Sequence, residues 1–355
     1  DCFNFYIKYF SEYYPNINWH VFTKKNFEIN TKKDINVHEY NYNKNVRIIN
    51  EVIRLRKDIK KYNFDAIFIM TPNLVFNLVI AKIFHNKIVY LLHDPIPHEG
   101  EPFLRKMILK IQNYYVCKKS FRIVVASENI KEMISRRKFY DKTSIIELGI
   151  LDNLIYDNIC IKNKSYDILF FGRLEKYKGL GVLANALRIL EKNNIKCNSC
   201  IVGRGNIDEK IFDGIDNLVR YNEYVSDRKL AEIIASSKVV VLPYINATGS
   251  QTVQISYYYK CPVIASDVGC FVDYIENNKT GFLFKAGDSK ELAICIKNLL
   301  EMKEYDIGQM RKEINRILNE KFDNYTLEDV PAESWIMTLL PYLLIFGAFF
   351  ILFVI

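Results

Sequence analysis

Two cations in one short loop are the first candidates for chemistry. Arg173 and Lys178 lie in DILFFGRLEKYKGLGVLANALRIL, residues 167–190. Residues 167–171 read as a buried strand, Gly172 as a turn, and the apolar period from 179 to 190 as a helix. A planar guanidinium fork and an ammonium point charge beside a helix mouth are what a diphosphate needs when no metal is used. A second unit of the same layout occupies residues 239–284. Its apolar run 239–242 fits a strand buried on both faces, and a loop with Pro243, Asn246, Thr248, Gly249 and Ser250 follows. Residues 251–259 read as a helix that carries Gln251 and Gln254; Pro262 stops it, and 263–265 begins the next strand. The mouth of that helix would offer unpaired backbone N–H groups to an anion. A third stretch, HDPIPHEGEP at 93–102, sits just past an expected strand at 87–92, where open α/β sheets place ligand groups. It brings His93, Asp94 and His98; for His98, capping a turn is the plainer alternative. No Asp-x-Asp pair sits at a strand end, so no catalytic metal is expected.

The elements that must position these groups alternate between strand and helix. Strands are expected at 19–23, 65–70, 87–92, 121–125 and 144–147, with helices at 1–15, 46–62, 103–119 and 127–138. The helix at 46–62 puts Ile48, Val52, Leu55 and Ile59 on one stripe. The helix at 103–119 has Leu104, Ile108 and Ile111 on one side and Arg105, Lys106 and Lys110 around it. It reads either as core-facing or as resting on anionic lipid. Further on, a strand at 199–202 meets Gly203-Arg204-Gly205, a helix follows at 228–236, and helices at 291–300 and 306–318 finish the fold, the last crossing back to the first domain. A doubly wound domain should open on a strand and a glycine turn; none is legible before residue 19, so a first strand is expected to be missing.

Composition narrows the classes. The 355 residues, 50% hydrophobic and 25% charged, suit two globular α/β domains and argue against disorder. Residues 1–160 carry 25 Lys+Arg against 17 Asp+Glu, whereas 161–355 carry 24 of each, so the net charge of +8 belongs to the first part. A basic face favours anionic lipid headgroups or a phosphorylated acceptor, although a solvated lysine-rich surface would look the same. No zinc-finger or RNP-like pattern points to nucleic acid. Among eight cysteines, Cys197 and Cys200 form a C-x-x-C without a second ligand pair and read as small buried hydrophobes, in keeping with a reducing compartment. No secretory signal is legible. Residues 335–355 are uncharged over 21 positions, the length of a membrane-spanning helix, and are expected to anchor the chain.

Taken in order, GRLEKYKG, VGRG at 202–205, LPY, CPVIASDVG and GFLF resemble the C-terminal domain of GT-B glycosyltransferases, nearest the large retaining group called family 4. The resemblance spans residues 60–325. It implies an α/β fold of two doubly wound, parallel-sheet, Rossmann-like domains facing a cleft: 1–150 on the acceptor side, a linker at 151–166, and 167–327 for the nucleotide sugar, followed by the transmembrane-like helix. It also implies a UDP- or GDP-sugar substrate with no separate cofactor. His93 matches the family's active-site histidine, and Asp94 and His98 extend an HDPxPH pattern of one branch. Arg173 and Lys178 would neutralise the leaving diphosphate. Gly172, Gly203, Gly205, Thr248, Gly249, Ser250, Gln251, Gln254 and Tyr224 (in YNEYVSD, 221–227) would surround the donor. Two glutamates usual in the family, eight positions apart, are Ala247 and Ile255 here. The expected activity is transfer of a sugar to an envelope, capsule or lipopolysaccharide-type glycan or a lipid-linked acceptor at the cytoplasmic face of the cell membrane, retaining and metal-independent. The rival is a membrane-tethered nucleotide-sugar or glycan-binding protein without turnover.

Overall fold

The structure, a computed structural model, describes residues 7, 11, 17–24, 29, 34–40, 48–62, 64–70, 73–92, 95, 103–135, 139–145, 159, 164–247, 250–322 and 349–353. The chain divides into two compact units, the first from Asp1–Pro97, Glu101–Ile146 and Val330–Ile355, the second from His98–Gly100 and Glu147–Asp329.

The first unit is built on a parallel sheet. Its strands in chain order are β1 (Asn18–Lys24), β2 (Asn36–Tyr40), β3 (Ala66–Ile69), β4 (Ile88–Leu91), β5 (Arg122–Val125) and β6 (Thr143–Ile145). A further strand, Phe349–Phe353 (β13), enters between β1 and β3, giving the order β2-β1-β13-β3-β4-β5-β6. Phe349 pairs with Asn18, and Phe350 pairs with both Trp19 and Ala66, all in parallel. The position between β1 and β3 is thus filled from a distant part of the chain. This corrects the expectation of a membrane-spanning helix over 335–355, of which 349–353 is a strand paired on both sides; the rest of that range lies outside the described residues. The cause is an ambiguity of composition, because a central strand of a parallel sheet is buried on both faces and is as uniformly apolar as a lipid-facing helix. Among the described residues, no helix is long and apolar enough to cross a membrane.

Among the described residues, this sheet is accompanied by the helices α1 (Ile48–Lys61), α2 (Leu74–Ile83), α3 (Phe103–Lys119) and α4 (Glu128–Ser135). Leu55 and Ile59 of α1 are fully buried, as its period requires. Asn73 caps α2 by accepting the Phe76 N–H at 3.2 Å. The α3 helix departs from the first of its two expected readings, the core-facing one. It buries Gln112, Asn113, Val116 and Cys117 and leaves Leu104 and Ile111 exposed. The Tyr90 hydroxyl donates to Asn113 Oδ1 at 2.8 Å, a hydrogen bond between two buried side chains.

The second unit has a six-stranded parallel sheet. Its strands are β7 (Tyr166–Phe171), β8 (Ser199–Val202), β9 (Leu218–Tyr221), β10 (Ser237–Leu242), β11 (Val263–Ser266) and β12 (Gly281–Phe284). They lie in the order β12-β11-β10-β7-β8-β9. Ile168 to Phe170 and Val239 to Leu242 are completely buried, as central parallel strands demand. The helices are α5 (Leu180–Lys192), α6 (Asp227–Ala235), α7 (Thr252–Tyr258), α8 (Phe271–Tyr274), α9 (Ser289–Leu300) and α10 (Glu304–Ile317). The last of these does not leave for the first unit: Met310, Ile314 and Ile317 join the core of the second. From β7 the chain moves outward through β8 and β9, then returns to place β10 on the other side of β7. The switch point therefore lies between β7 and β10, and the loops at their carboxyl ends flank the place where such sheets bind ligands.

Candidate active site

The loop after β7 is held in place by its neighbours on both sides. Toward β8, the Gly172 N–H donates to Val202 O at 2.9 Å and Leu174 pairs with Gly205. A Cβ on Gly203 would stand 1.7 Å from Gly172 O, and one on Gly205 would stand 2.0 Å from Leu174 O. The glycines at 203 and 205 thus let two backbones touch, whatever else they do. Toward β10, Gly179 has φ +70°, and a Cβ there would lie 1.7 Å from Pro243 O. The Ile245 N–H completes the joint by donating to Tyr177 O at 2.8 Å.

This joint buries a lysine. Lys178 is only 9% exposed, and its Nζ sits 3.7 Å from the centre of the Tyr244 ring and 5.0 Å from that of Tyr177. Among the described residues, no carboxylate lies within ion-pair distance of it. The ring faces supply partial compensation for a desolvated ammonium. Burial holds its pKa below the ordinary 10.5 of lysine, with the Tyr177 phenol opposing that shift and the Arg173 guanidinium adding to it. Arg173 differs. Its side chain is 69% exposed, pairs with Glu175 Oε1 at 3.1 Å and donates to the Tyr177 hydroxyl at 3.1 Å.

Tyr244 is the keystone of the β10 side. It is buried, its carbonyl accepts from the Ser266 hydroxyl at 2.6 Å, and its own hydroxyl has no hydrogen bond among the described residues. Burial pushes its pKa up to about 12, with Ser250 and Thr252 nearby working the other way. Those two hydroxyls are hydrogen-bonded to each other at 2.8 Å. Tyr177 and Tyr244 were not singled out as site residues from sequence; the available signal was an aromatic in each of the two loops, in EKYKG and in LPY.

The remaining candidates are distributed as follows. Gln251 is half-buried just ahead of α7, and Gln254 is completely buried within it. Tyr224 is exposed, with its hydroxyl 3.2 Å from Asp227 Oδ1. Ala247 and Ile255, at the positions where glutamates were looked for, are both buried, and Ala247 O leaves only 2.2 Å for a Cβ on Gly269. His93, Asp94, His98, Thr248 and Gly249 lie outside the described residues. Cys197 and Cys200 are buried thiols, their pKa values pushed up by burial to about 11 and about 12, so neither is a poised nucleophile. Among the described residues, no group of three His, Cys, Asp or Glu side chains could hold a metal ion. The loop after β7 thus carries two cations, Arg173 and Lys178, both against Tyr177.

Comparison with known proteins gives a family match within the second unit. Residues 165–302 match the family described as "Glycosyl transferases group 1". The D-inositol 3-phosphate glycosyltransferase of Paenarthrobacter aurescens is 27% identical over 166 residues, covering 44% of this chain and 40% of that protein. The phosphatidyl-myo-inositol mannosyltransferase of Mycobacterium leprae is 31% identical over 172 residues, covering 47% of this chain and 42% of that protein. The chain thus spans less than half the length of these curated relatives. Among solved structures, Anabaena HepE in complex with UDP superposes with a TM-score of 0.68 at 16% identity, covering 90% of this chain and all of that one, a likeness of fold. The glycosyltransferase expected from the sequence motifs agrees with the family match and with the names of these relatives. The second unit carries a Glycosyl transferases group 1 domain, within a chain of GT-B-like fold.

Proposed function

We propose that the protein is a family-4-type glycosyltransferase that moves a sugar from a UDP- or GDP-linked donor to a glycan or lipid-linked acceptor, acting at the cytoplasmic face of the cell membrane. The observation that carries this reading is Lys178, a buried ammonium against the Tyr244 ring with no carboxylate at ion-pair distance among the described residues, at the switch point of the second sheet. Such a group is a standing electrostatic demand for an anion, and a nucleoside diphosphate supplies one. In the reaction, Lys178 and Arg173 would stabilise charge growing on the departing diphosphate, which is a transition-state interaction. Arg173 would exchange its Glu175 partner for a phosphate oxygen, to which its fork is matched. His93, two residues beyond the end of β4, would act beside the sugar. Retention of anomeric configuration and independence from metal complete the reading; the cations already present give the second its physical basis. The names of the relatives, which act on inositol phosphate and on a phosphatidylinositol, favour a phosphorylated or lipid-linked acceptor.

A second reading, binding without turnover, draws on Ala247 and Ile255, which cannot accept a hydrogen bond from a sugar hydroxyl with their side chains. Release of sugar from a radiolabelled donor, with and without acceptor, separates the two. Turnover that falls in His93→Ala while UDP affinity is kept supports the enzyme; donor binding with no release under either condition supports the binder.

A further inference from the structure

We propose that α3 docks the first unit onto an anionic bilayer surface. Phe103, Met107, Ile111 and Tyr114 recur at four- and three-residue spacings, so they share one side of the helix, with Leu104 beside them. All five are exposed, Phe103 to 80% and Leu104 to 64%. The opposite side is already occupied, since Gln112, Asn113, Val116 and Cys117 face the core. A solvent-facing row of large apolar groups over about 16 Å of helix is not explained by packing within the unit.

Charge selects the occupant. Residues 103–119 contain Arg105, Lys106, Lys110, Lys118 and Lys119 and no carboxylate. Lys118 continues the apolar row by one turn, and Lys110 is exposed along its margin. Phe, Leu, Met, Ile and Tyr to one side with cations flanking them is the composition of a helix that lies in a headgroup layer. A second copy of the same face would bring like charges together, whereas phosphatidylglycerol-type headgroups neutralise them. The net basic charge of the first 160 residues acts in the same direction. This specifies the membrane location proposed above and is independent of the donor chemistry, because the test contains no nucleotide sugar.

The test is co-sedimentation of the full chain with phosphatidylcholine vesicles, with and without phosphatidylglycerol. Binding is expected on the anionic vesicles, at least tenfold weaker on neutral ones, and weakened by salt. Met107→Asp/Ile111→Asp should abolish it, and Lys110→Glu/Lys118→Glu should weaken it at least tenfold, both with unchanged melting temperature, since all four side chains are exposed. Ile294→Asp, at an exposed apolar position of α9 in the second unit, should bind like the parent. Equal binding to both vesicle types, loss in the Ile294 variant alone, or a dimer that Met107→Asp/Ile111→Asp dissociates without any vesicle binding would each overturn the assignment. Loss of transfer with vesicle binding intact would instead tell against the enzymatic reading and leave this one standing.

Discussion

Replacing Lys178 by methionine should separate stability from binding. The ammonium is buried, which costs several kcal/mol for an ion that lacks a full partner. The Tyr244 ring at 3.7 Å returns about 2 kcal/mol. Methionine keeps the length and the apolar stem while removing the charge, so the free protein should melt at the same temperature or higher. Binding should move the opposite way. Losing one partner of a desolvated charge pair costs about 2–5 kcal/mol, which is at least about thirtyfold in affinity. The assay is calorimetric titration with UDP and GDP beside a thermal melt of the same preparation. Acidity provides an independent arm. Lys178 has a folded pKa below the unfolded 10.5, so between those values the unfolded chain holds more protons. Its penalty to folding is complete below the folded pKa and fades as pH rises toward 10.5. Diphosphate affinity should decline across the same window as the ammonium is lost, and Lys178→Arg should remove that decline. A Lys178→Met protein that melts several degrees lower and binds UDP and GDP unchanged would refute the reasoning and make the lysine structural.

Three further outcomes are expected. Gly179→Ala must place a methyl against Pro243 O at a positive φ, so it should cost about 2 kcal/mol or more and weaken UDP binding, as read by denaturant titration and calorimetry. A chain ending at Gly347 lacks β13, so limited proteolysis should cut the first unit while a fragment beginning near β7 survives; equal resistance of both units would show that the strand contributes nothing. Sugar transfer should persist in EDTA, and a rate that collapses and is restored by Mg²⁺ or Mn²⁺ would contradict the metal-independent reading.

What was legible in the sequence follows from how deeply each element is buried. Central strands such as Val239 to Leu242 declare themselves because both faces need apolar side chains. The edge strands β2 and β9 were missed: NVHEY and LVRY carry mostly exposed or half-exposed residues and no apolar run. The α3 helix misled in the opposite sense, for its apolar row is on the outside. Arg173 and Lys178 could be singled out as a pair because both flank a glycine turn and a helix start, yet their environments were not separable. The burial of Lys178 depends on Tyr244, which reaches it only once β10 lies beside β7, and nothing local records that adjacency. The same holds for Gly203, whose requirement is set by a carbonyl across the strand boundary.

The position of β13 has a consequence for the order in which the protein is assembled. Asn18 pairs with Phe349, so the whole of the second unit must be synthesised before the two can meet. During translation the second unit is exposed complete, with all six of its strands drawn from one continuous stretch, while the first still has a gap in the middle of its sheet. Contacts of such long sequence separation close late, because loop-closure entropy must be overcome before they stabilise anything. Until then β1 and β3 each present an unpaired edge, which a second nascent chain could fill with its own apolar strand. Of the two units, the one that comes first along the sequence is thus the later to be finished.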